Sequence, residues 1–179
     1  MRIRDFTFRP IEWRRDRRAI TELDASFKTE RVYRLEIKAL SARLVEDKLA
    51  RPRTKRYDLS DIGTAVKEAD LTLAAEGEGE LVGFMTVKYE RWNRRVWLTH
   101  LYIAPEFRGV GLGTEFIERV VKFAKKKKAR GVWLETQNFN YPAIGFYRRK
   151  GFEFCGFDRS LYDPRNVPGE TAVFFAREF

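Results

Sequence analysis

The sequence predicts a single domain of the α/β or α+β class that extends over residues 1–179. Strand patterns follow one another from Leu71, a glycine-rich turn leads into a strongly amphipathic helix near Thr114, and strands and a helix alternate up to Ala176. A hydrophobic content of 44%, including 15 Phe, suits one core of useful size. Two full domains would be cramped in 179 residues.

The first seventy residues carry weaker structural signals. A strand is predicted from Ile3 to Arg9, and a charged amphipathic helix from about Ile11 to Phe27. The region after this helix allows two interpretations. Alternating apolar residues over 33–37 indicate a strand, whereas residues 35–49 are also compatible with a helix. Residues 52–56 are typical of a loop.

The pattern is sharper in the middle of the chain. Residues 71–76 and 81–89 are rich in strand-forming residues and flank a short connector that contains glycine, which predicts a hairpin. Val96–Ile103 follows as a third strand, and Pro105 ends it. Thr114–Lys128 is the clearest helix, because its apolar residues form one stripe opposite charged residues.

Three strands and one helix are predicted in the last third of the chain. A strand spans Val132–Thr136, and a helix over residues 141–150 is capped at its start by Asn140 and ended by a glycine. Strands over Phe152–Phe157 and Thr171–Ala176 then complete the sheet.

The most informative segment lies between the third strand and the clearest helix. It reads Arg108-Gly109-Val110-Gly111-Leu112-Gly113-Thr114. Glycines let backbone N–H groups approach an anion closely, and the start of the following helix adds a favourable dipole. The forked cation of Arg108 adds to this attraction. The segment is therefore predicted to bind phosphate groups.

Spacing narrows the type of phosphate ligand. A dinucleotide fingerprint counted from Gly109 and Gly111 requires glycine or alanine where this chain has Thr114, and the Gly-Lys-Ser/Thr ending of a P-loop is absent. The remaining pattern, Arg-Gly-x-Gly-x-Gly, resembles the Arg/Gln-x-x-Gly-x-Gly/Ala loop of the GNAT acetyltransferases. The resemblance implies that Arg108 to Thr114 hold the pyrophosphate of acetyl-CoA.

A second segment shows the same resemblance. Residues 140–152, Asn-Tyr-Pro-Ala-Ile-Gly-Phe-Tyr-Arg-Arg-Lys-Gly-Phe, are similar to the GNAT element Asn-x-x-Ala-x-x-Phe-Tyr-x-x-x-Gly-Phe. The resemblance covers about residues 71–179, which it identifies as the cofactor-binding core. Residues 1–70 match the family only in layout and are expected to shape the acceptor side.

Membership of this family would imply a strongly bent mixed sheet with helices on both faces and a splayed central pair of strands. It also implies direct transfer of an acetyl group from acetyl-CoA to a primary amine, without an acyl-enzyme. Backbone N–H groups near Tyr102 and Ile103 would stabilise the oxyanion, and Tyr147 would protonate the leaving thiolate. The cofactor contacts that the resemblance implies outside the glycine loop are those of Leu101, Tyr102, Ile103, Asn140 and Ala143.

The general base stays open at this point. Strand alternation places His100, the only histidine, on the same face as Leu98 and Tyr102. The ordinary pKa of histidine suits proton abstraction near neutral pH, so His100 is a candidate. A water chain held by Glu135 or Glu90 would serve equally.

A narrower resemblance concerns the acceptor. Several segments look like the streptothricin acetyltransferase branch of the family, which acetylates the amine of a β-lysyl group. They are Leu134–Asn138, Tyr147, Gly151–Phe152, Gly156–Asp158 through Leu161–Tyr162, and Lys55–Tyr57. The resemblance implies that Glu135 and Asp158 hold a substrate ammonium. The net charge of +10 would repel a polycationic antibiotic during its approach. The acceptor therefore stays open among small-molecule, peptide and protein amines.

The basic composition raises a competing hypothesis from another functional class. The chain has 36 Lys plus Arg, and Trp92 and Trp97 lie beside several arginines, as in a non-catalytic module that stacks nucleic-acid bases. No RNA-binding motif is present, and the lysines at 125–128 are placed to favour the negative end of a helix dipole. We therefore expect no nucleic-acid partner. A homodimer is compatible with the sequence.

Composition also predicts where the protein is located and whether it binds a metal ion. No run of about 18 uncharged apolar residues is present, and no apolar secretory signal follows the first residues, so a cytoplasmic protein without membrane contact is expected. Cys155 is the only cysteine and is expected to pack as a small hydrophobe in its strand. With one cysteine and one histidine, no metal site is expected.

Overall fold

The computed structural model describes residues 2–179, and the chain divides into two compact units. The first unit holds the residues up to Ser26, Arg56–Trp133 and Glu178–Phe179. The second unit holds Phe27–Lys55 and Leu134–Arg177. No helix of the described chain is both long and apolar enough to cross a bilayer.

Nine strands and four α-helices make up the described residues. The strands are β1 (Phe6–Arg9), β2 (Phe27–Lys38), β3 (Ser41–Lys55), β4 (Leu71–Gly77), β5 (Glu80–Glu90), β6 (Arg95–Ile103), β7 (Gly131–Gln137), β8 (Glu153–Asp158) and β9 (Ala172–Glu178). The helices are α1 (Trp13–Thr21), α2 (Ile62–Glu68), α3 (Leu112–Lys126) and α4 (Tyr141–Arg149). Short 3₁₀ helices span Ile3–Asp5 and Pro105–Phe107.

In the first unit, four strands follow the order β1-β4-β5-β6, and each neighbouring pair is antiparallel. Helices α1 and α2 pack against one face, where Phe84 of β5 lies in a buried cluster with Ile20 of α1 and Ile62 of α2. The opposite face carries α3, because Phe8 of β1 meets Phe116 of α3 edge to face at 5.2 Å. The predicted arrangement of helices on both faces of a sheet is confirmed, and the sheet of this unit is antiparallel throughout.

Helix α3 is positioned by its apolar stripe. Leu112, Phe116, Ile117, Val120 and Ala124 are buried at i, i+4, i+5, i+8 and i+12. Burial of large side chains such as Phe116 and Ile117 contributes about 1.5–3 kcal/mol each. The start of α3 is thereby held firmly at the end of the loop that follows β6.

In the second unit, β2 and β3 form a long antiparallel hairpin with a two-residue tip. Strands β7, β9 and β8 are neighbours in that order, and β8 and β9 are antiparallel. Helix α4 packs on the hairpin, where the rings of Tyr33 and Tyr141 stack with centroids 5.2 Å apart. Asn140 caps α4 by accepting a hydrogen bond from the N–H of Ala143 at 3.2 Å, as predicted.

Most elements after residue 70 agree with prediction within about two residues, and the differences lie earlier. The strand predicted from Ile3 begins only at Phe6, and the predicted first helix ends at Thr21. The helical alternative for residues 35–49 is wrong, because this region forms a hairpin. The loop predicted at 52–56 is mostly strand, and Pro52 is tolerated where the β2–β3 register is interrupted.

Two further expectations need correction. Helix α2 was not anticipated, since its seven residues give too little periodicity to be recognised. Cys155 is exposed on β8 and does not pack as a buried hydrophobe, because alternate residues of an antiparallel strand face solvent.

A network of buried charges ties α1 to the sheet of the first unit. Arg9 donates two hydrogen bonds of 2.7 Å to the Asp16 carboxylate and a third of 2.6 Å to Glu76. The Asp16 side chain is only 4% exposed. Burial opposes its charge, but the bonds from Arg9 and from the N–H of Glu12 hold the pKa of Asp16 below its ordinary value.

We expect Asp16→Asn to lower the free energy of unfolding by about 2 kcal/mol near pH 7, because it leaves Arg9 with a single carboxylate partner. Since the folded pKa of Asp16 is depressed, its contribution is present above its unfolded pKa of about 3.9 and is lost as pH falls through the folded value. Urea titrations between pH 7 and pH 2 measure this difference. Glu22→Gln, which breaks an exposed pair on the same helix, is the matched control and should change little.

Candidate active site

The glycine loop between β6 and α3 has the geometry of an anion cradle. Gly109 and Gly111 have φ of +84° and +105°, a left-handed conformation that favours glycine. The first α-helical backbone bond of α3 runs from the N–H of Glu115 to the carbonyl of Gly111 at 3.1 Å. The N–H groups of Leu112, Gly113 and Thr114 therefore have no acceptor within the helix and lie at the positive end of its dipole. This donor set fits a pyrophosphate.

Arg108 lies at the entrance of this loop. Its Nε–H donates to the carbonyl of Ile103 at 2.8 Å, which folds the side chain back toward the end of β6. Partial burial lowers the pKa of Arg108 from its ordinary value, and the negative charges of Asp24 and Glu106 oppose this change. The guanidinium remains charged and close to the strand end that leads into the cradle.

A bulge in β6 changes which side chains share a face. Thr86 of β5 pairs with His100 and Val87 pairs with Leu98, so one residue of β6, Thr99, is extra. His100 and Tyr102 consequently lie on the face of Phe84, whereas Leu98 lies on the opposite face. The expectation that Leu98, His100 and Tyr102 share one face is wrong, because the extra residue reverses the alternation.

The bulge also sets the hydrogen bonding of His100. Thr99 donates its hydroxyl to the carbonyl of Thr86 at 2.9 Å, so its oxygen must accept from the Thr86 hydroxyl 2.6 Å away. The Thr86 oxygen then accepts from Nδ1 of His100 at 2.8 Å. This chain selects the tautomer with the proton on Nδ1 and leaves Nε2 able to accept one. Burial lowers the pKa of His100 to about 4, so the ring is neutral at physiological pH.

Gly83, which the motifs did not identify, is a candidate site residue because it pairs with Ile103 at the end of β6 that leads into the glycine loop. A Cβ at this position would lie 2.7 Å from the carbonyl oxygen of Tyr102 and 3.2 Å from Cα of Ile103. Strand β5 can therefore approach β6 here only with glycine. A lone glycine inside a strand pattern is a sequence signal for such a close approach. Tyr102 itself packs its ring between Phe84 and Tyr57, at centroid distances of 5.6 and 5.3 Å.

In the second unit, the candidate residues of α4 lie on a well-packed helix. Tyr147 is 8% exposed, and its ring contacts Phe146 and Phe152 at centroid distances of 5.4 and 5.8 Å. The N–H of Phe152 donates to its carbonyl at 3.1 Å, which holds the end of the helix. Packing therefore fixes the orientation of the Tyr147 ring.

Glu135 on β7 belongs to a group of ionisable side chains that spacing did not reveal. Tyr162 donates its hydroxyl to the Glu135 carboxylate. Lys55 and Glu170 form an ion pair in which Glu170 is only 7% exposed, and both act electrostatically on Glu135. Burial raises the pKa of Glu135, and the Tyr162 bond and the Lys55 charge oppose this rise. The four residues come from three distant parts of the chain.

Asp158, the second predicted ammonium ligand, has a different environment. It accepts bonds of 2.7 Å from both the hydroxyl and the backbone N–H of Ser160, and these bonds lower its pKa. The carboxylate thus stabilises its own turn. Among residues 2–179, no three His, Cys, Asp or Glu side chains are grouped to hold a metal ion.

The aromatic residues behind the nucleic-acid hypothesis differ in environment. The ring of Trp97 stacks on Trp133 with centroids 5.0 Å apart, which covers one of its faces. The side chain of Trp92 is 84% exposed. Arg95 is paired with Glu178. These residues do not form one continuous stacking surface.

Comparisons with known proteins agree with one another. Residues 29–152 match the profile of the family described as the acetyltransferase (GNAT) family. A streptothricin acetyltransferase of Streptomyces lavendulae is 36% identical over 169 residues, which covers 90% of this chain and 89% of that protein. The crystal structure of nourseothricin acetyltransferase is similar with a TM-score of 0.88 and 35% identity, covering 97% of this chain and 98% of that one.

A structure from Bacillus anthracis in complex with acetyl coenzyme A shows the same fold, with a TM-score of 0.79 and 24% identity over 97% of both chains. Nothing in these similarities supports a nucleic-acid-binding module. The motifs at 108–114 and 140–152 both lie within residues 29–152, which match the family profile.

We expect Gly111→Val to weaken acetyl-CoA binding at least about tenfold, because a β-branched residue does not tolerate a φ of +105° and would displace the N–H groups of the loop. Isothermal calorimetry measures the affinity. Gly79→Val is the matched control, since Gly79 has a similar φ of +84° in the β4–β5 turn with open space around it. Equal affinities of a folded Gly111→Val protein and the wild type would contradict the role of the loop.

Proposed function

Because the chain belongs to the acetyltransferase (GNAT) family and is an acetyl-CoA-dependent N-acetyltransferase, we propose that its acceptor is the primary amine of a small cationic molecule held by Glu135. The observation that carries this proposal is the partly buried Glu135 carboxylate, bonded by Tyr162 and flanked by Glu170. Similarity to streptothricin acetyltransferases over most of the chain supports the same class of acceptor.

The raised pKa of Glu135 indicates a carboxylate that lacks full solvation of its charge. An ammonium group at this position would supply the missing counter-charge. The hydroxyl of Tyr162 orients the carboxylate and leaves its second oxygen to accept from an ammonium. Glu135 is better suited to bind a cation than Asp158, because burial raises the pKa of Glu135 whereas the bonds from Ser160 already stabilise the charge of Asp158 and lower its pKa.

The net charge of +10 does not exclude a cationic acceptor. Repulsion by the whole chain acts on the encounter rate and is screened beyond about 8 Å at physiological salt. At contact distance the nearest charges dominate. The ion pair of Lys55 and Glu170 has no net charge, so the ionised Glu135 gives this group a net negative charge. We therefore expect slow but specific capture of the acceptor.

Acetyl-CoA supplies the thioester whose acetyl group is transferred to the amine. The N–H groups of Leu112, Gly113 and Thr114, together with Arg108, would hold its pyrophosphate. The backbones of Leu101, Tyr102 and Ile103 are the proposed contacts for the rest of the cofactor, with the N–H groups near Tyr102 and Ile103 stabilising the oxyanion.

The acceptor ammonium must lose a proton before its nitrogen can attack. A neutral His100 can accept a proton at Nε2, but a base with a pKa of about 4 has little driving force for this step. The raised pKa of Glu135 makes it the stronger candidate, through direct contact or one water. Tyr147 is proposed to return a proton to the departing thiolate.

We expect Tyr147→Phe to lower kcat about ten- to a thousandfold while acetyl-CoA affinity and thermal stability stay nearly unchanged, because only the proton-donating hydroxyl is removed. Steady-state kinetics and thermal melts on one preparation measure both. Tyr141→Phe is the control on the same helix, where the hydroxyl donates to the exposed Glu46. Full turnover with lowered stability would assign Tyr147 to the core instead.

We expect Glu135→Gln to lower kcat/KM for a cationic amine about a hundredfold, since it removes the charge that binds the ammonium and keeps the shape of the side chain. Glu153→Gln makes the same change in net charge at an exposed position of β8 and should have little effect. The measurement is thiol release across a panel of mono- and diamines. Equal kcat/KM values for the two variants would refute the proposed acceptor site.

A further inference from the structure

Strand β2 has an open edge on the side away from β3. The two strands form a separate two-stranded sheet, so only one edge of β2 is paired along its length. On the other side, Tyr33 exchanges two hydrogen bonds with Asn138. Its N–H donates to the Asn138 carbonyl at 3.0 Å, and its carbonyl accepts from the Asn138 side chain at 2.8 Å.

These bonds show which backbone groups of β2 point outward. In an antiparallel pair, residues alternate between those that bond to the partner strand and those that point to the free edge. Because the backbone N–H and C=O of Tyr33 point to the free edge, those of Leu35 and Ile37 do so as well. No other described residue pairs with the backbone of either at this edge. The outward N–H and C=O groups of Leu35 and Ile37 therefore offer two further pairing positions along the edge, beyond the position at Tyr33 that Asn138 occupies.

Asn138, which occupies the first pairing position at this edge, is held in place by its own hydrogen bonds. It is 6% exposed, its N–H donates to the carbonyl of Thr171 at 3.0 Å, and its side-chain oxygen accepts from the N–H of Thr171 at 2.9 Å. It thus bridges β2 and the segment before β9. A chain that pairs with Leu35 and Ile37 would continue, along the same edge, the pairing that Asn138 makes with Tyr33.

The open edge lies in a cleft large enough for such a chain. The cleft has a volume of about 650 Å³, within the range of ligand sites, and is entirely formed by the second unit. Its wall contains the β2 edge, Asn138 and the loop before β9, and it carries the charged residues Arg34, Asp47, Arg159 and Glu170.

The cleft is connected electrostatically to the proposed ammonium site. Glu170 lines the cleft, pairs with Lys55 and acts on the charge of Glu135. Glu170 thus belongs both to the cleft and to the charged group around Glu135, so we take the acceptor to extend from Glu135 past Glu170 toward the β2 edge. Alternating N–H and C=O groups at this edge are complementary to amides spaced as in an extended chain.

We propose that the edge of β2 at Leu35 and Ile37 binds an extended, amide-bearing segment of the acceptor as an added strand. This inference rests on the proposed function, because it assigns the part of the acceptor that continues from the amine. It identifies the preferred acceptors as amines attached to a peptide-like chain of about three or four residues, the length that spans these two pairing positions.

The test compares lysine amide with lysyl-trialanine amide as acceptors. For the wild type we expect kcat/KM to be about 10- to 25-fold higher for the longer acceptor, as one net hydrogen bond at each of Leu35 and Ile37 is worth about fivefold after the cost of ordering the chain. Methylation of the alanine amide nitrogens should abolish this gain. Equal values for the two unmethylated acceptors would overturn the proposal.

A proline substitution tests the edge itself. Ile37→Pro removes an outward N–H without removing a β2–β3 bond, and we expect it to reduce the gain about fivefold. Ala42→Pro is the matched control, because Ala42 pairs with Ile37 and points its N–H to the other edge of the hairpin. Circular dichroism and acetyl-CoA affinity verify folding. An equal gain in the two variants would contradict the edge as the binding site.

The proposed function and this inference can fail separately. If lysine amide is acetylated in a Glu135-dependent manner but chain length has no effect, only the edge proposal is wrong. If neither acceptor is acetylated, the proposed acceptor class is wrong, and calorimetry of lysyl-trialanine amide with wild type and Ile37→Pro still decides the edge. Binding that is equally strong in both proteins, or undetectable in the wild type, would reject it.

Discussion

The pairing of β5 with β6 is the constraint on which the candidate cofactor site of the first unit depends. Gly83 allows the two backbones to approach closely at Tyr102 and Ile103, where any side chain on β5 would collide with a carbonyl oxygen. The extra residue Thr99 then turns His100 and Tyr102 to the face that carries Phe84. At the end of the same strand the chain enters the glycine loop. A change in this register would move the histidine, the strand end and the loop together.

The two units differ in whether their partly buried charged side chains are compensated by partners within the protein. In the first, Arg9 and Arg15 balance the charges of Asp16 and Glu76 through ion pairs, so these charges are compensated within the protein. In the second, Glu135 has a raised pKa although Tyr162 and Lys55 both favour its charged form. A carboxylate whose own partners do not compensate its burial is suited to bind a cation from outside. This contrast separates a structural network from a candidate binding site.

The reaction and the acceptor of this enzyme are known to different extents. Membership of the family establishes the reaction and the cofactor, since matches extend over most of the chain. The acceptor is not determined in this way, and the proposals for it rest on Glu135 and on the edge of the long β2–β3 hairpin.

The sequence by itself determined the elements whose signals are local. The glycine spacing at 108–114, the amphipathic stripe of α3 and the Asn140 cap each depend on neighbouring residues, and the structure contains all three. Tertiary structure decided what depends on partners distant in sequence. The hairpin of residues 27–55 required pairing to exclude a helix, and the bulge at Thr99 required the register against β5. The group of Glu135, Tyr162, Lys55 and Glu170 arises only when three segments meet, because side-chain charge and burial are properties of the folded chain.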